Sequence, residues 1–293
     1  IRDQPRSRGL GDVYKRQLYN SSGVTGLANE ALTITDELTV TQANVIDGLT
    51  EGTVTASIAT TETVDSLQTL TGTNAYTIVI SSADATGSTA AEFNTINALT
   101  TEAIDASAVT GLAKDTISNI STLLTAGNDT AQFTDTSFSQ LSSVSVFNVT
   151  NYLANNNDLA NYFSPTNGFM TIEQQEAGAA KHYDDYGFDE ERNDGSLDVT
   201  DLNTAIAAAN TATGTTETVF TITSGSTING GSDVEFSTLL ANEELGNISI
   251  TNQNLTVDSG SISVDDANLL SATTTGTVTA SITTTESLSL IHI

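Results

Sequence analysis

Leu38–Thr63 and Ile262–Ser287 are two copies of one sequence, and this internal repeat narrows the choice of fold. LTVTQANVIDGLTEGTVTASIATTET aligns without a gap on ISVDDANLLSATTTGTVTASITTTES, which lies near the other end of the chain. Both copies contain the identical segment GTVTASI. A shorter pair is formed by VTGLANE at Val24–Glu30 and VTGLAKD at Val109–Asp115. Repeated units of this kind predict a fold in which similar supersecondary elements stack on their neighbours.

The two ends of the chain are predicted to be foreign to it, and such segments must be set aside before composition is interpreted. DVYKRQ at Asp12–Gln17 is the translation of a transposase mosaic end used in sequencing libraries, and LSLIHI at Leu288–Ile293 is the translation of its reverse complement. The preceding residues match the adjoining adapter sequence. We therefore expect residues 1–17 and 288–293 to be adapter artefacts, and residues 18–287 to be a metagenomic fragment of a longer protein.

The charge balance excludes several classes of partner. The chain has 36 acidic and 8 basic residues and a net charge of −28, and five of those basic residues lie in the adapter-like N-terminal segment. So acidic a chain cannot neutralise phosphates, and we expect it to bind no nucleic acid. No apolar run approaches the roughly 20 residues that a membrane-spanning helix needs. The absence of cysteine excludes disulfides and thiolate metal ligands.

Hydrophobic periodicity predicts short strands that alternate with amphipathic helices. In GTVTASI, Val54, Ala56 and Ile58 face one way, while Thr53, Thr55 and Ser57 face the other. Strands with one polar face are not typical of a doubly wound sheet, whose strands are apolar on both faces. We therefore predict an α/β fold, a repeat solenoid of short parallel strands and amphipathic helices; the alternative is a series of β-sandwich adhesin repeats. The predicted core comprises Val54, Ile58, Leu67, Ile78, Phe93, Ile96, Ile104 and Leu112.

A change in composition divides the natural segment into three. Between about residues 151 and 210 threonine becomes less frequent, while aromatic and carboxylate side chains concentrate. We expect a repeat domain at residues 18–150, a helical insert at 151–210 and a second, truncated repeat domain at 211–287.

The insert contains the one motif specific enough to suggest chemistry. DEERNDGSLDVTDL, Asp189–Leu202, resembles the calcium loop of EF-hand and dockerin modules, with Gly195 as the sharp-turn glycine. In that register Glu190 and Arg192 stand at positions that normally carry oxygen ligands, and a front half one residue longer would begin at Asp189 instead. The resemblance implies that one Ca²⁺ is held by ligands drawn from Asp189, Glu190, Asp194, Ser196, Asp198 and Asp201. The competing interpretation is a solvated acidic turn that caps a helix.

The expected function follows from these patterns. A cysteine-free, acidic chain rich in threonine and serine resembles giant surface and secreted proteins of aquatic bacteria. We expect a calcium-binding structural or adhesive repeat segment of an extracellular or cell-surface protein, with calcium and other surface proteins or glycans as partners. The alternatives are a dockerin-like protein-binding module and a non-catalytic region of a larger extracellular enzyme. We expect no enzymatic activity in this segment, because His182 is its one histidine and no nucleophile elbow is present.

Overall fold

The computed structural model describes residues 29–84, 86–147, 149–169, 171–182, 196–213, 218–222 and 226–283. Both adapter-like ends lie outside the described residues. The chain divides into two compact units. The first comprises Ile1–Ser88, Glu92–Val109 and Ala126–Phe138, and the second comprises Thr89–Ala91, Thr110–Thr125 and Ser139–Ile293.

Strands and helices alternate along most of the described chain. The strands are β1 Leu32–Thr33, β2 Val54–Ser57, β3 Ala75–Thr77, β4 Gly111–Asp115, β5 Ser143–Val146, β6 Ser196–Asp198, β7 Val219–Ile222, β8 Thr227–Ser232, β9 Ile248–Ser249, β10 Asn254–Ser259 and β11 Val278–Thr279. The α-helices are α1 Val40–Asp47, α2 Val64–Leu67, α3 Ala90–Ala98, α4 Ile117–Gly127, α5 Val149–Asn155, α6 Asn157–Tyr162, α7 Ile172–His182, α8 Val199–Thr213, α9 Asp233–Glu244 and α10 Val264–Thr273. Short 3₁₀ turns lie at Ser82–Asp84 and Pro165–Asn167.

Every ladder between described strands is parallel. The first unit has one sheet in the order β1-β2-β3, and the second unit has two, β4-β5-β7-β9 and β11-β10-β8-β6. Within each sheet a strand pairs with the next one along the chain that belongs to that sheet, and at least one helix lies between the two. Parallel neighbours require such crossovers. The α/β class with parallel strands is therefore confirmed, and the antiparallel ladders of the β-sandwich alternative do not occur among the described strands.

Burial follows the alternation that the sequence shows. All eight residues predicted for the core are buried, and Thr53, Thr55 and Ser57 are exposed on the other face of β2. In the second unit one row of side chains crosses the sheet at matching register, from Leu197 through Ile228 and Leu255 to Val278. The helices α5 to α7 enclose a separate buried group, which contains Phe147, Tyr152, Leu159, Phe163 and Ala179.

The two copies of the repeat have the same local structure. Thr39 caps α1 by accepting a hydrogen bond from the Gln42 N–H, and the equivalent Ser263 caps α10 by accepting one from the Asp266 N–H. Parallel bridges join Leu38 to Ile58 and Ile262 to Ile282. The two bridges join equivalent positions of the aligned copies, so that each copy closes on itself in the same way.

A buried threonine forms the same pair of hydrogen bonds in both copies. The Thr50 hydroxyl donates to the Glu30 carbonyl at 2.6 Å and accepts from the Gly52 N–H at 2.9 Å. The Thr274 hydroxyl donates to the Gln253 carbonyl at 2.6 Å and accepts from the Gly276 N–H at 3.0 Å. Each bond to a carbonyl ties the end of the helical segment to the strand region before it.

Candidate metal site

The predicted calcium loop ends where strand β6 meets helix α8. Ser196–Asp198 forms the strand and Val199–Thr213 forms the helix. Leu197 and Val199 are buried, and beyond them Leu202, Ala205, Ile206 and Ala209 are buried at the spacing of one helix face. The change from strand alternation to helical spacing therefore occurs at Asp198 and Val199, so that Asp198 ends the strand and Asp201 lies in the first helical turn.

Asp198 caps the helix with its side chain. Its Oδ1 accepts hydrogen bonds from the N–H of Thr200 at 2.8 Å and from the N–H of Asp201 at 3.2 Å. These N–H groups lie in the first turn, where no carbonyl within the helix can accept from them. The carboxylate also lies at the positive end of the helix dipole. Asp198 is therefore held in a fixed orientation by the start of α8.

The ionised carboxylate of Asp201 is electrostatically disfavoured in this arrangement. Partial burial raises the pKa of its carboxyl group, and the negative charge of Asp198 raises that pKa further. A raised pKa means that the folded protein disfavours the ionised form of Asp201. A divalent cation beside these carboxylates would remove part of this cost.

Gly230, which lies outside the predicted motif, adjoins Asp198. Gly230 on β8 has φ +82°, and a Cβ at this position would overlap Oδ2 of Asp198. The N–H of Gly230 donates to Oδ2 of Asp258 on the neighbouring strand β10 at 2.9 Å. A Cβ at Gly231 would overlap a methyl carbon of Val199. The Gly230-Gly231 pair in the sequence is the signal that could have identified this close approach of β8 to the start of α8.

The predicted ligands are only partly placed by the structure. Asp189, Glu190 and Asp194 lie outside the described residues, as does the turn glycine Gly195. Ser196 lies in β6 opposite Thr227, while Asp198 and Asp201 are placed as above. Within the ranges that the structure describes, no group of three or more His, Cys, Asp or Glu side chains could hold a metal ion. The described part of the loop supplies two carboxylates and the backbone of Ser196.

Comparison with known proteins identifies no relative. No family model, curated protein or solved structure matches this chain.

Helix length and hydropathy together decide whether a helix can cross a bilayer. None of the helices in the described ranges is both long enough and apolar enough to do so.

Proposed function

We propose that this chain is a calcium-binding structural or adhesive repeat segment of a large secreted or cell-surface bacterial protein. The observation that carries the proposal is the junction of β6 and α8, where a capping carboxylate, Asp198, is followed one helical turn later by Asp201. In an EF-hand loop these positions are the ninth and the twelfth, and the twelfth supplies the closing carboxylate from the exiting helix. Calcium prefers such closely spaced, hard oxygen ligands.

The electrostatics of the junction support a cation. Because the pKa of Asp201 is raised, its contribution to stability is complete only below the pKa of the unfolded chain and is lost as pH rises through the folded value. Near neutral pH without calcium, the ionised form of Asp201 is therefore disfavoured in the folded protein, in part by the negative charge of Asp198. Calcium bound to both carboxylates would reverse the sign of this contribution.

The repeat part of the proposal is a solenoid within each unit. Its support is that each ladder joins strands that are separated along the chain by helices, and that the two repeat copies share their caps and bridges. A solenoid stabilised by bound ions suits an extended structural or adhesive role. The secreted or cell-surface location is supported by composition, since the chain is acidic and contains no cysteine.

The test is a calcium titration of the full chain, followed by thermal unfolding and by helicity in the far-ultraviolet. We expect a dissociation constant of roughly 10⁻⁴ to 10⁻³ M, because Glu190 and Arg192 replace better ligands at the front of the loop. At a calcium concentration about tenfold above that constant, binding should stabilise the protein by about 1.4 kcal/mol. Magnesium at equal concentration should have a smaller effect, since the loop offers few ligands in rigid octahedral geometry.

The decisive variant is Asp201→Asn, with Asp265→Asn as the matched control. Both residues are acidic and lie in the first turn of a helix, but Asp265 belongs to α10. Asp201→Asn should abolish the calcium response and raise stability in calcium-free buffer at neutral pH. Asp265→Asn should retain the response. An equal response in both variants would instead favour the solvated helix-capping turn.

A further inference from the structure

The second repeat exposes side chains whose counterparts in the first repeat are buried. Val40 at the start of α1 is 3% exposed, whereas the equivalent Val264 at the start of α10 is 43% exposed. Ile58 is 3% exposed and its equivalent Ile282 is 43% exposed. The second repeat thus presents an apolar surface, although its sequence and local structure match those of the first.

The exposure is confined to one side of the repeat. The residues that pack toward the preceding strand region are buried in both copies, as Leu38 and Ile262 are, and as Thr50 and Thr274 are. The caps and bridges of the two copies also agree. Among the residues that the structure describes, the second repeat is therefore folded like the first, and it is less covered only on the side that faces the following helix and strand in the first repeat.

The first repeat shows what covers this side. The segment Val64–Ile80, which follows the repeat, contains α2 and β3, and β3 pairs with β2 of the repeat. The Thr77 carbonyl of this segment accepts a hydrogen bond from the Ile58 N–H at 3.0 Å. The covering segment therefore bonds to Ile58, whose equivalent Ile282 is exposed in the second repeat.

A side chain on α1 adds two further bonds to the same segment. The amide of Asn44 donates to the Thr69 carbonyl at 2.7 Å, and its oxygen accepts from the Thr71 N–H at 2.9 Å. Asn268 occupies the equivalent position on α10 and is exposed. The second repeat therefore carries the polar group, as well as the apolar ones, that holds the covering segment in the first.

We infer that the face formed by Val264, Asn268, Val278 and Ile282 is a docking surface for a helix–strand segment of the Val64–Ile80 type, placed after the second repeat as Val64–Ile80 is placed after the first. Its helix would pack on Val264 and Ile282, its backbone would bond to Asn268, and its strand would pair with β11 as β3 pairs with β2. The contacts of one residue would differ. Asp47, which accepts from the Asn74 amide at 2.7 Å, is replaced by Ser271, whose hydroxyl can accept the same bond.

The test extends the full chain with its own covering segment. Residues 284–293 are replaced by a copy of residues 60–80, which keeps the spacing found after the first repeat. Unfolding is measured in calcium-free buffer, so that the outcome does not depend on the proposed calcium site. The extension should raise the melting temperature by several degrees. The matched control carries Val64→Asp and Leu67→Asp within the grafted copy only, and it should give no rise, because these are the buried residues of α2.

Substitution of Ile282 supplies a second measurement. Ile282→Asp should lower the melting temperature little in the parent chain, where the residue is exposed, and several times more in the extended chain, where it becomes buried. Equal melting temperatures for the extension and its charged control would overturn the inference. So would concentration-dependent dimerisation of the parent that persists in the extended chain, since the face would then belong to a second molecule.

Discussion

The carboxylate of Asp47 accepts a 2.7 Å hydrogen bond from the side-chain amide of Asn74, which begins the strand region after α2. The oxygen of the same amide accepts from the Val54 N–H at 2.8 Å. Its nitrogen also donates to the Tyr76 hydroxyl at 3.3 Å. Helix α1, strand β2 and the start of β3 are thus tied together by one asparagine, and the negative charge of Asp47 reaches the buried phenol.

Stability should fall at alkaline pH because of Tyr76. Burial, and then the charge of Asp47, raise the pKa of Tyr76 from 10.0 to about 12. The phenol stays neutral in the folded protein while it ionises in the unfolded chain. Its contribution to stability is therefore complete below pH 10 and is lost as pH rises from about 10 to 12, on the order of 2 kcal/mol in total.

Chemical denaturation at pH 9 and pH 11.5 measures this loss, with Tyr76→Phe and Tyr162→Phe as paired variants. Tyr76→Phe should flatten the alkaline decline, since it removes the shifted group. Tyr162, which is 61% exposed, is the control, and its replacement should leave the decline unchanged. A decline of the same size in Tyr76→Phe would refute the assignment.

Thr50→Val should destabilise the first unit by about 1–3 kcal/mol. Valine keeps the shape of threonine but removes the buried hydroxyl that bonds to the Glu30 carbonyl and the Gly52 N–H, and these part-buried groups lose that partner. Thr274→Val should cost a similar amount, because its two bonds are the same. Thr55→Val on the exposed face of β2 is the control, and it should change the unfolding free energy by less than about 0.5 kcal/mol.

Gly230→Ala should cost more stability than Gly246→Ala. Both glycines have a left-handed φ, +82° and +81°, so the backbone strain of alanine costs about 1–2 kcal/mol at either site. Only at Gly230 would the new methyl also collide with Asp198, whereas Gly246 faces open space. Displacing Asp198 should break its cap on α8 and add ~1 kcal/mol. Equal costs in urea denaturation would show that Asp198 moves away freely.

Asp115→Ala should lower stability by about 3 kcal/mol. The carboxylate is 5% exposed. One oxygen accepts from the Ala91 N–H at 2.7 Å, and the other accepts from the Thr116 N–H and the Asn119 amide. Its loss removes an acceptor from three part-buried donors. Asp65→Ala is the control, since Asp65 is exposed in the first turn of α2; it should cost at most ~1 kcal/mol. Equal losses of unfolding free energy in the two variants would contradict the structural role of Asp115.

The class of fold and the core could be predicted because they depend on local periodicity. Val54, Ala56 and Ile58 alternate with exposed partners, and this pattern alone fixes which face is buried. The residues at which the helices begin are harder to predict from the sequence. The capping residues of α1 and α2 are Thr39 and Thr63, and each has another threonine two positions away, at Thr41 and Thr61. In a threonine-rich chain many positions can cap, and the packing of the helix selects among them.

The candidate site was less predictable than the fold. Asp198 and Asp201 are close in sequence, and they lie together at a helix start beside the buried Leu197. Gly230 and Asp258 could not be found in this way. They reach the junction through the pairing of β6 with β8 and of β8 with β10, and the register of strands so far apart in sequence is set by the whole sheet. The proposed domain division around the insert stays a prediction, although β6 from that segment joins the sheet of β8.

The spacing of the strand pairs has a consequence for the order of folding. Thr55 pairs with Ala75 and Phe220 pairs with Ile248, so these ladders close short loops. Ser143 of β5 pairs with Val219 of β7 across a much longer stretch, which contains α5 to α8. Closing a loop about three times as long costs about 1 kcal/mol more chain entropy. Ladders with short loops should therefore nucleate early, and the β5–β7 pair should form late and dominate the slowest refolding phase of the second unit.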